Sequence, residues 1–269
     1  MKDILTEIIA HKQEELKLWQ QKTSIETLRK RVASQTATPP KRSMKQALSS
    51  SATGIIAEFK RKSPSKGWIH REACPEKIVP AYQACGASAL SILTDEYFFG
   101  GTLADIETVR PLVNIPILRK DFIISEYQLL QARLSGADAV LLIAACLTVD
   151  KCMELARQAH DLGLEILLEI HSSEEVEYAQ CAPEMLGVNN RNLGTFITDV
   201  RNSYRLAEAL KPVMTEQKNA PLLVSESGIS QSETIQNLRQ LGYRGFLIGE
   251  TFMKEPHPGQ ALQHLIESL

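Results

Sequence analysis

The chain is first bounded by what it lacks. No apolar run in its 269 residues approaches the ~18 needed to span a bilayer. The opening residues, Met1 to Glu7, have no apolar core of the kind a secretory signal carries. The five cysteines (Cys74, Cys85, Cys146, Cys152, Cys181) are odd in number, scattered, and form no Cys-x-x-Cys pair. That favours reduced thiols and a cytoplasmic setting over a disulfide framework or a zinc site. The six histidines are dispersed without His-Glu-x-x-His spacing, so no metal is expected. A net charge of −2 leaves no basic surplus for tracking nucleic acid. Neither nucleic acid nor a membrane is an expected partner.

What remains is an ordinary globular composition, 43% hydrophobic and 23% charged, with ample material for a core. Residues 1–20 place Ile4, Leu5, Ile8, Ile9, Leu16 and Trp19 at roughly helical spacing. A second short helix is expected over 24–32, a linker over 34–41, and a helical turn or two over 43–48. This prefix could clamp a barrel end, bind a partner or cover a substrate, and the residues do not choose among these.

From Ile55 the text alternates apolar strands with amphipathic helices. Gly86, Gly136, Gly163 and Gly242 each follow a helix and precede an apolar run, as left-handed caps do. Their spacings of 50, 27 and 79 residues are close to two, one and three multiples of ~26, the length of one strand–helix unit. Filling the gaps gives eight strands: 55–60, 88–93, 116–120, 138–144, 165–170, 185–189, 221–225 and 245–249. Ser172-x-x-Glu175 and Ser230-x-x-Glu233 read as capping boxes, and Ser125 as an N-cap. No Gly-x-Gly-x-x-Gly follows the first strand, which weakens a dinucleotide-binding reading. The fold class is therefore α/β: a (β/α)8 TIM barrel over 51–269, with an N-terminal helical extension over 1–50.

Active sites of such barrels lie at the carboxyl ends of the strands. Strand 1 ends with Glu58 and Lys60, two apart and so on one face, followed by a basic Ser/Pro/Gly loop containing Arg61, Lys62, Ser63 and Lys66. Taken alone, this is equally a structural ion pair with a solvated loop behind it. Lys120 ends strand 3, Glu169 strand 5, Asn189 and Arg191 strand 6, and Glu226 strand 7. Desolvating so many ions costs several kcal/mol each, so their convergence points to a site and not to packing. Arg119 and Asp121 alternate with Lys120 and are expected to face the helices. Ser227-Gly228 and Gly249-Glu250 follow the last two strands, where such barrels hold phosphate with backbone N–H groups. The Glu250 carboxylate is then expected to point away from that phosphate, and Gly249 could equally just end a strand.

The motifs Ile-Ala-Glu-Phe-Lys-Arg-Lys-Ser-Pro-Ser-Lys-Gly, Leu-Arg-Lys-Asp-Phe-Ile, Leu-Leu-Glu-Ile-His, Gly-Val-Asn-Asn-Arg-Asn-Leu and Ser-Glu-Ser-Gly-Ile, in this order, closely resemble those of indole-3-glycerol-phosphate synthases. That family closes the indole ring of tryptophan biosynthesis from 1-(2-carboxyphenylamino)-1-deoxyribulose 5-phosphate, losing carbon dioxide and water. The resemblance implies no cofactor and a small phosphosugar substrate. With one barrel in the chain, the second pathway enzyme fused in some relatives is expected to be absent; a monomer is one option, and the residues do not choose the oligomeric state. It implies Lys120 as general acid, Glu169 as its assisting carboxylate, and Lys60 on the substrate carboxylate and in the later dehydration. Glu58 would be the paired base, with Asn189 and Glu226 holding substrate hydroxyls and the lysine network. Ser63, Gly228, Gly249 and the backbone of Glu250 match phosphate-side positions, and Arg191 and Ser227 substrate-proximal ones. Phe99, Phe122, Leu141 and Leu193 match the apolar wall around the anthranilate ring. Clustered cations should lower one another's proton affinity, making a lysine a better acid near neutral pH. Asn192 stands where family members commonly carry Asp, and Lys66 enlarges the basic loop; tuning is expected from these, not loss of activity. Competing readings are another phosphosugar barrel resembling phosphoribosylanthranilate isomerase, disfavoured because strand 1 offers no Cys for its Cys/Asp pair, and a non-catalytic phosphoribosyl-ligand sensor.

Overall fold

The computed structural model describes residues 4–35, 42–192, 194, 197–216 and 220–269. Eight strands form a closed parallel barrel: β1 (Ile55–Phe59), β2 (Ala89–Leu93), β3 (Ile117–Lys120), β4 (Ala139–Ile143), β5 (Glu165–Ile170), β6 (Met185–Asn189), β7 (Leu222–Glu226) and β8 (Tyr243–Ile248). Each pairs with its neighbour in sequence, and β8 closes on β1 through Ile55↔Phe246, Ile56↔Leu247 and Ala57↔Ile248. All eight expected strands are present, with ends moved by one or two residues. The four glycines after helices take positive φ, from 73° at Gly163 to 98° at Gly242. Ser125 caps the helix Glu126–Ser135, accepting from Tyr127 N at 3.3 Å.

Both proposed capping boxes fail. The helix after β7 begins at Ser232 behind Gln231, so Ser230 stays in the loop. Ser172 makes no side-chain cap to the 3₁₀ segment Ser173–Cys181, and the Glu175 carboxylate instead accepts from His171 N at 2.6 Å.

Alternation along each strand sorts the residues into two layers. Ile55, Ala57, Ile117, Ile166, Leu168, Leu186 and Val188 face the surrounding helices. Ile56, Leu118, Ala139, Leu141, Leu167, Met185, Val224 and Leu247 fill the barrel. Two residues further along that inner face come Glu58, Lys120, Glu169 and Glu226, and on β6, four residues past Met185 and beyond Gly187, comes Asn189. The apolar filling therefore stops one layer short of the carboxyl-terminal mouth, where five strands turn polar.

The prefix closes both ends of the cylinder. Helix α1 (Ile4–Lys22) lies at the mouth, where Leu5 and Ile8 join the same cluster as Phe122, Leu141 and Ile143. Helix α2 (Ile25–Ala33), capped by Ser24, packs on the helix Glu126–Ser135 and is pinned there by Arg29 to Glu126 at 2.6 Å. Helix α3 (Met44–Ser50) plugs the opposite end with Met44 and Leu48, while Lys45 N donates to Glu165 at the start of β5. The linker expected over 34–41 falls largely outside the described residues. Among the described residues no helix is long and apolar enough to cross a membrane.

Candidate active site

A cavity of about 660 Å³ opens at the mouth of the barrel. One wall is apolar: Ile4, Leu5 and Ile8 from α1, Phe99 and Phe122 with ring centroids 6.0 Å apart, and Leu141 and Ile143 of β4. The opposite rim is polar, formed by Ser63, Lys66, Arg191, Ser227, Gly228, Gly249 and Glu250. Lys60, Lys120, Glu58, Glu169 and Asn189 line the space between them. Leu193, expected in the apolar wall, lies outside the described residues.

Lys120 is the hub. Its ammonium sits 3.2 Å from Glu226, 3.6 Å from Glu169 and 4.0 Å from Glu58, each carboxylate delivered by a different strand. Lys60 pairs separately with Glu58 at 2.5 Å. Two glycines make room for these acids. A Cβ at Gly187 would overlap Glu226 Oε1, and one at Gly249 would overlap Glu58 Oε1. Gly249 thus does more than end a strand: its missing side chain is the space a buried carboxylate occupies.

Electrostatics corrects one expectation. Burial by itself would depress the Lys120 ammonium, but the facing carboxylates of Glu226, Glu169 and Glu58 outweigh it and hold its pKa above the ordinary lysine value. Without substrate, the nearest charges are acids and not the other lysine, so Lys120 stays protonated and is not tuned toward neutrality. Burial pushes Glu226 up to about 7, with Lys120 opposing and Glu169 reinforcing the rise. Burial also works against Glu169, but Lys120 and His171 overcome it and bring Glu169 down to about 2. Glu58 is lowered against its burial by Lys60 and Lys120. One cation is thus shared by two firm carboxylates and one on the edge of protonation.

Two other acids hold notable positions. Glu226 is fully buried against Lys120, 3.2 Å from its ammonium, which brings it into the lysine network. The Glu250 carboxylate does not turn away from the basic rim: it lies 3.4 Å from Arg191 and 3.8 Å from Lys66. Arg191 also donates to Ser65 Oγ at 2.6 Å, tying the loop after β1 to the loop after β6. The buried Ser63 hydroxyl lines the cavity and has no hydrogen-bond partner among the described residues. Ser227 and Gly228 adopt φ of 70° and 76°, a left-handed pair that bends the chain over the mouth. For a serine this is a strained state costing about 1–3 kcal/mol. Arg119 and Asp121 face outward as expected, with Arg119 donating to Gln128 O at 2.6 Å and pairing with Asp121 at 2.9 Å.

Two contributors were not singled out from the sequence. Lys12 of α1 is fully buried, 2.9 Å from Asp95 and 3.1 Å from Asp121, and so ties the covering helix to the segment following Lys120. His171 lies 3.2 Å from Glu169. Its place two residues beyond Glu169 was the only available signal.

Comparison with known proteins agrees with this geometry. Residues 5–265 match the family model described as indole-3-glycerol phosphate synthase. An indole-3-glycerol phosphate synthase of Bacteroides thetaiotaomicron is 62% identical over 269 residues, covering 100% of both chains. One from Prochlorococcus marinus is 42% identical over 271 residues, covering 100% of this chain and 90% of its own. Among solved structures, a mutant tryptophan synthase α-subunit from Pyrococcus furiosus aligns with a TM-score of 0.59 at 14% identity, over 81% of this chain and 97% of that one. At that identity the likeness speaks for the barrel alone. With the family match running through the barrel and into the covering helix, the chain belongs to the indole-3-glycerol phosphate synthase family.

Proposed function

We propose that Lys120 is the general acid of this enzyme's reaction, with Lys60 and the surrounding carboxylates dividing the remaining proton transfers. The reaction is ring closure of 1-(2-carboxyphenylamino)-1-deoxy-D-ribulose 5-phosphate to indole-3-glycerol phosphate, a decarboxylating lyase activity within tryptophan biosynthesis. The ring carbon bearing the carboxylate attacks the ribulose carbonyl carbon, and Lys120 protonates the oxygen as negative charge develops there. The carboxylate leaves as carbon dioxide, its bonding pair restoring the aromatic ring. The new hydroxyl then departs as water while a proton is lost from the adjacent carbon, forming the pyrrole double bond. Lys60 engages the carboxylate at the start and serves this dehydration, with Glu58 as its paired base. Glu169, as an anion, assists Lys120 by steadying its ammonium, and Asn189 holds substrate hydroxyls.

The observation that carries the assignment is the Lys120 ammonium, at the cavity floor within 4.0 Å of three carboxylates. The Phe99–Phe122 wall suits the anthranilate ring, and the unpartnered Ser63 hydroxyl with Arg191, Ser227, Gly228 and the backbone at Gly249 and Glu250 suits the phosphate. Glu250's side chain then competes with phosphate for Arg191 and Lys66, and yields as the ligand binds. The barrel over 51–269 would hold the chemistry, with residues 1–50 covering it. A cytoplasmic setting is supported by the scattered cysteine pattern. The test is Lys120→Ala assayed by indole fluorescence, with inorganic phosphate binding measured alongside. Turnover should vanish while phosphate binding persists; wild-type turnover would overturn the assignment.

A further inference from the structure

His171 follows β5 directly and lies between two acids. Its Nε2 is 3.2 Å from Glu169 Oε1, and its Nδ1 is 3.5 Å from Glu175 Oε2. Glu175 also accepts from His171 N at 2.6 Å, so the same carboxylate is anchored on the backbone and held in ion-pair range of the ring. From the far side Asn202 donates to His171 O at 3.2 Å and to Asn189 O at 3.0 Å, stapling the ends of β5 and β6 together. His171 lines a neighbouring cleft of about 490 Å³, which shares Asn189 and Arg191 with the main cavity and also contains Arg201 and Arg205.

We propose that His171 is a positioning residue for ring closure: clamped by Glu175, it holds the Glu169 carboxylate as an anion turned toward Lys120. This rests on the reading of Glu169 given above. The groups facing Glu169 are Lys120 from β3, Asn189 from β6 and His171 itself, with Glu58 and Glu226 around the same ammonium. Those facing His171 are Glu169, Glu175 and Asn202, with the arginines of the adjoining cleft beyond. Burial would drive the imidazole toward its neutral form, yet the two acids reverse this and raise it to about 10. A relay role, with His171 handing a proton to Glu169, is disfavoured. That transfer runs uphill against both groups, since the imidazole is raised and the carboxylate lowered. A fixed cation answers a specific need of this site. Three acids crowd the Lys120 ammonium while Lys60 pairs with Glu58 alone, and His171 adds positive charge on the far side of Glu169, working with Lys120 to keep the pKa of that carboxyl low.

The test is the titration of the Glu169 carboxyl, followed by 13C NMR with its signal assigned through Glu169→Gln, in wild type and in His171→Gln, with Glu175→Gln as a milder variant should the first not fold; kcat/KM is measured alongside. Losing the cation raises the Glu169 pKa, so that titration should move up by about one pH unit or more in His171→Gln, and by less in Glu175→Gln. A purely structural loss would lower kcat/KM without moving the titration. A Glu169 titration unmoved in the folded variants would overturn the proposal. Glu169→Gln separates the two layers of inference: if it keeps wild-type turnover, the catalytic reading of Glu169 itself fails. If it is inactive while the His171 and Glu175 variants keep the wild-type titration, only the positioning role fails.

Discussion

Gly187→Ala is the sharpest probe of how the acid cluster is accommodated. The added Cβ would overlap Glu226 Oε1 and press on Leu167 Cδ1 at 3.1 Å, both in the buried interior of the barrel. Overpacking of this kind costs about 1–3 kcal/mol. Glu226 has one route of relief, which is to withdraw from Gly187 and so from Lys120, now 3.2 Å away. With an effective dielectric of about 20, that attraction is worth about 5 kcal/mol before desolvation, and a retreat of about 1 Å forfeits about 1 kcal/mol. If that difference is felt in the transition state, turnover drops about five- to tenfold. Chemical denaturation and the indole fluorescence assay read the two effects. The double variant Gly187→Ala/Glu226→Ala makes the origin explicit: with no carboxylate to strike, the alanine should cost less than about 1 kcal/mol, giving a clear coupling energy. Equal destabilisation by Gly187→Ala in both backgrounds would refute the claim that the glycine exists to admit Glu226.

Lys12→Met should destabilise the enzyme by about 3–5 kcal/mol, since it strips buried Asp95 of the Lys12 ammonium and leaves Asp121 with Arg119 alone; urea denaturation checks this. Ile8→Ala should cost about 2–5 kcal/mol and raise KM more than it lowers kcat, because Ile8 covers the cavity without touching the acid cluster. The raised His171 pKa has a consequence for stability. Its ion pairs contribute fully below 6.5, and the contribution is lost as pH rises through about 10. The wild-type denaturation midpoint should fall across that window, and the slope should flatten in His171→Gln.

The barrel was legible because its signals are local and repeated. A glycine whose left-handed geometry ends each of four helices, followed by a run apolar on both faces, needs no knowledge of distant residues. The site's membership was legible for a related reason: Glu58, Lys120, Glu169 and Glu226 interrupt apolar strands at positions where burial penalises charge. What they do to one another was not. Their titration depends on which charge is nearest across strands, and the nearest neighbours of Lys120 proved to be three acids. Lys12 was hidden because it sits in an amphipathic helix among other charged residues, while its partners Asp95 and Asp121 follow strands far along the chain. The capping box at Ser230 failed for a tertiary reason. Ile229 is buried and its carbonyl accepts from Thr251, so the chain is held across the mouth for two residues more before the helix starts.

The central claim is that Lys120 faces the reacting carbonyl of a substrate laid between the aromatic wall and the basic rim. A crystal structure with an unreactive analogue of the carboxyphenylamino ribulose phosphate measures this directly. The Lys120 Nζ should lie within about 3 Å of the oxygen replacing the carbonyl, with the aryl ring against Phe99 and Phe122 and the phosphate beside Ser63 and Gly228. An analogue bound in the reverse sense, or with that oxygen beyond the reach of Lys120 even through one water, would contradict it.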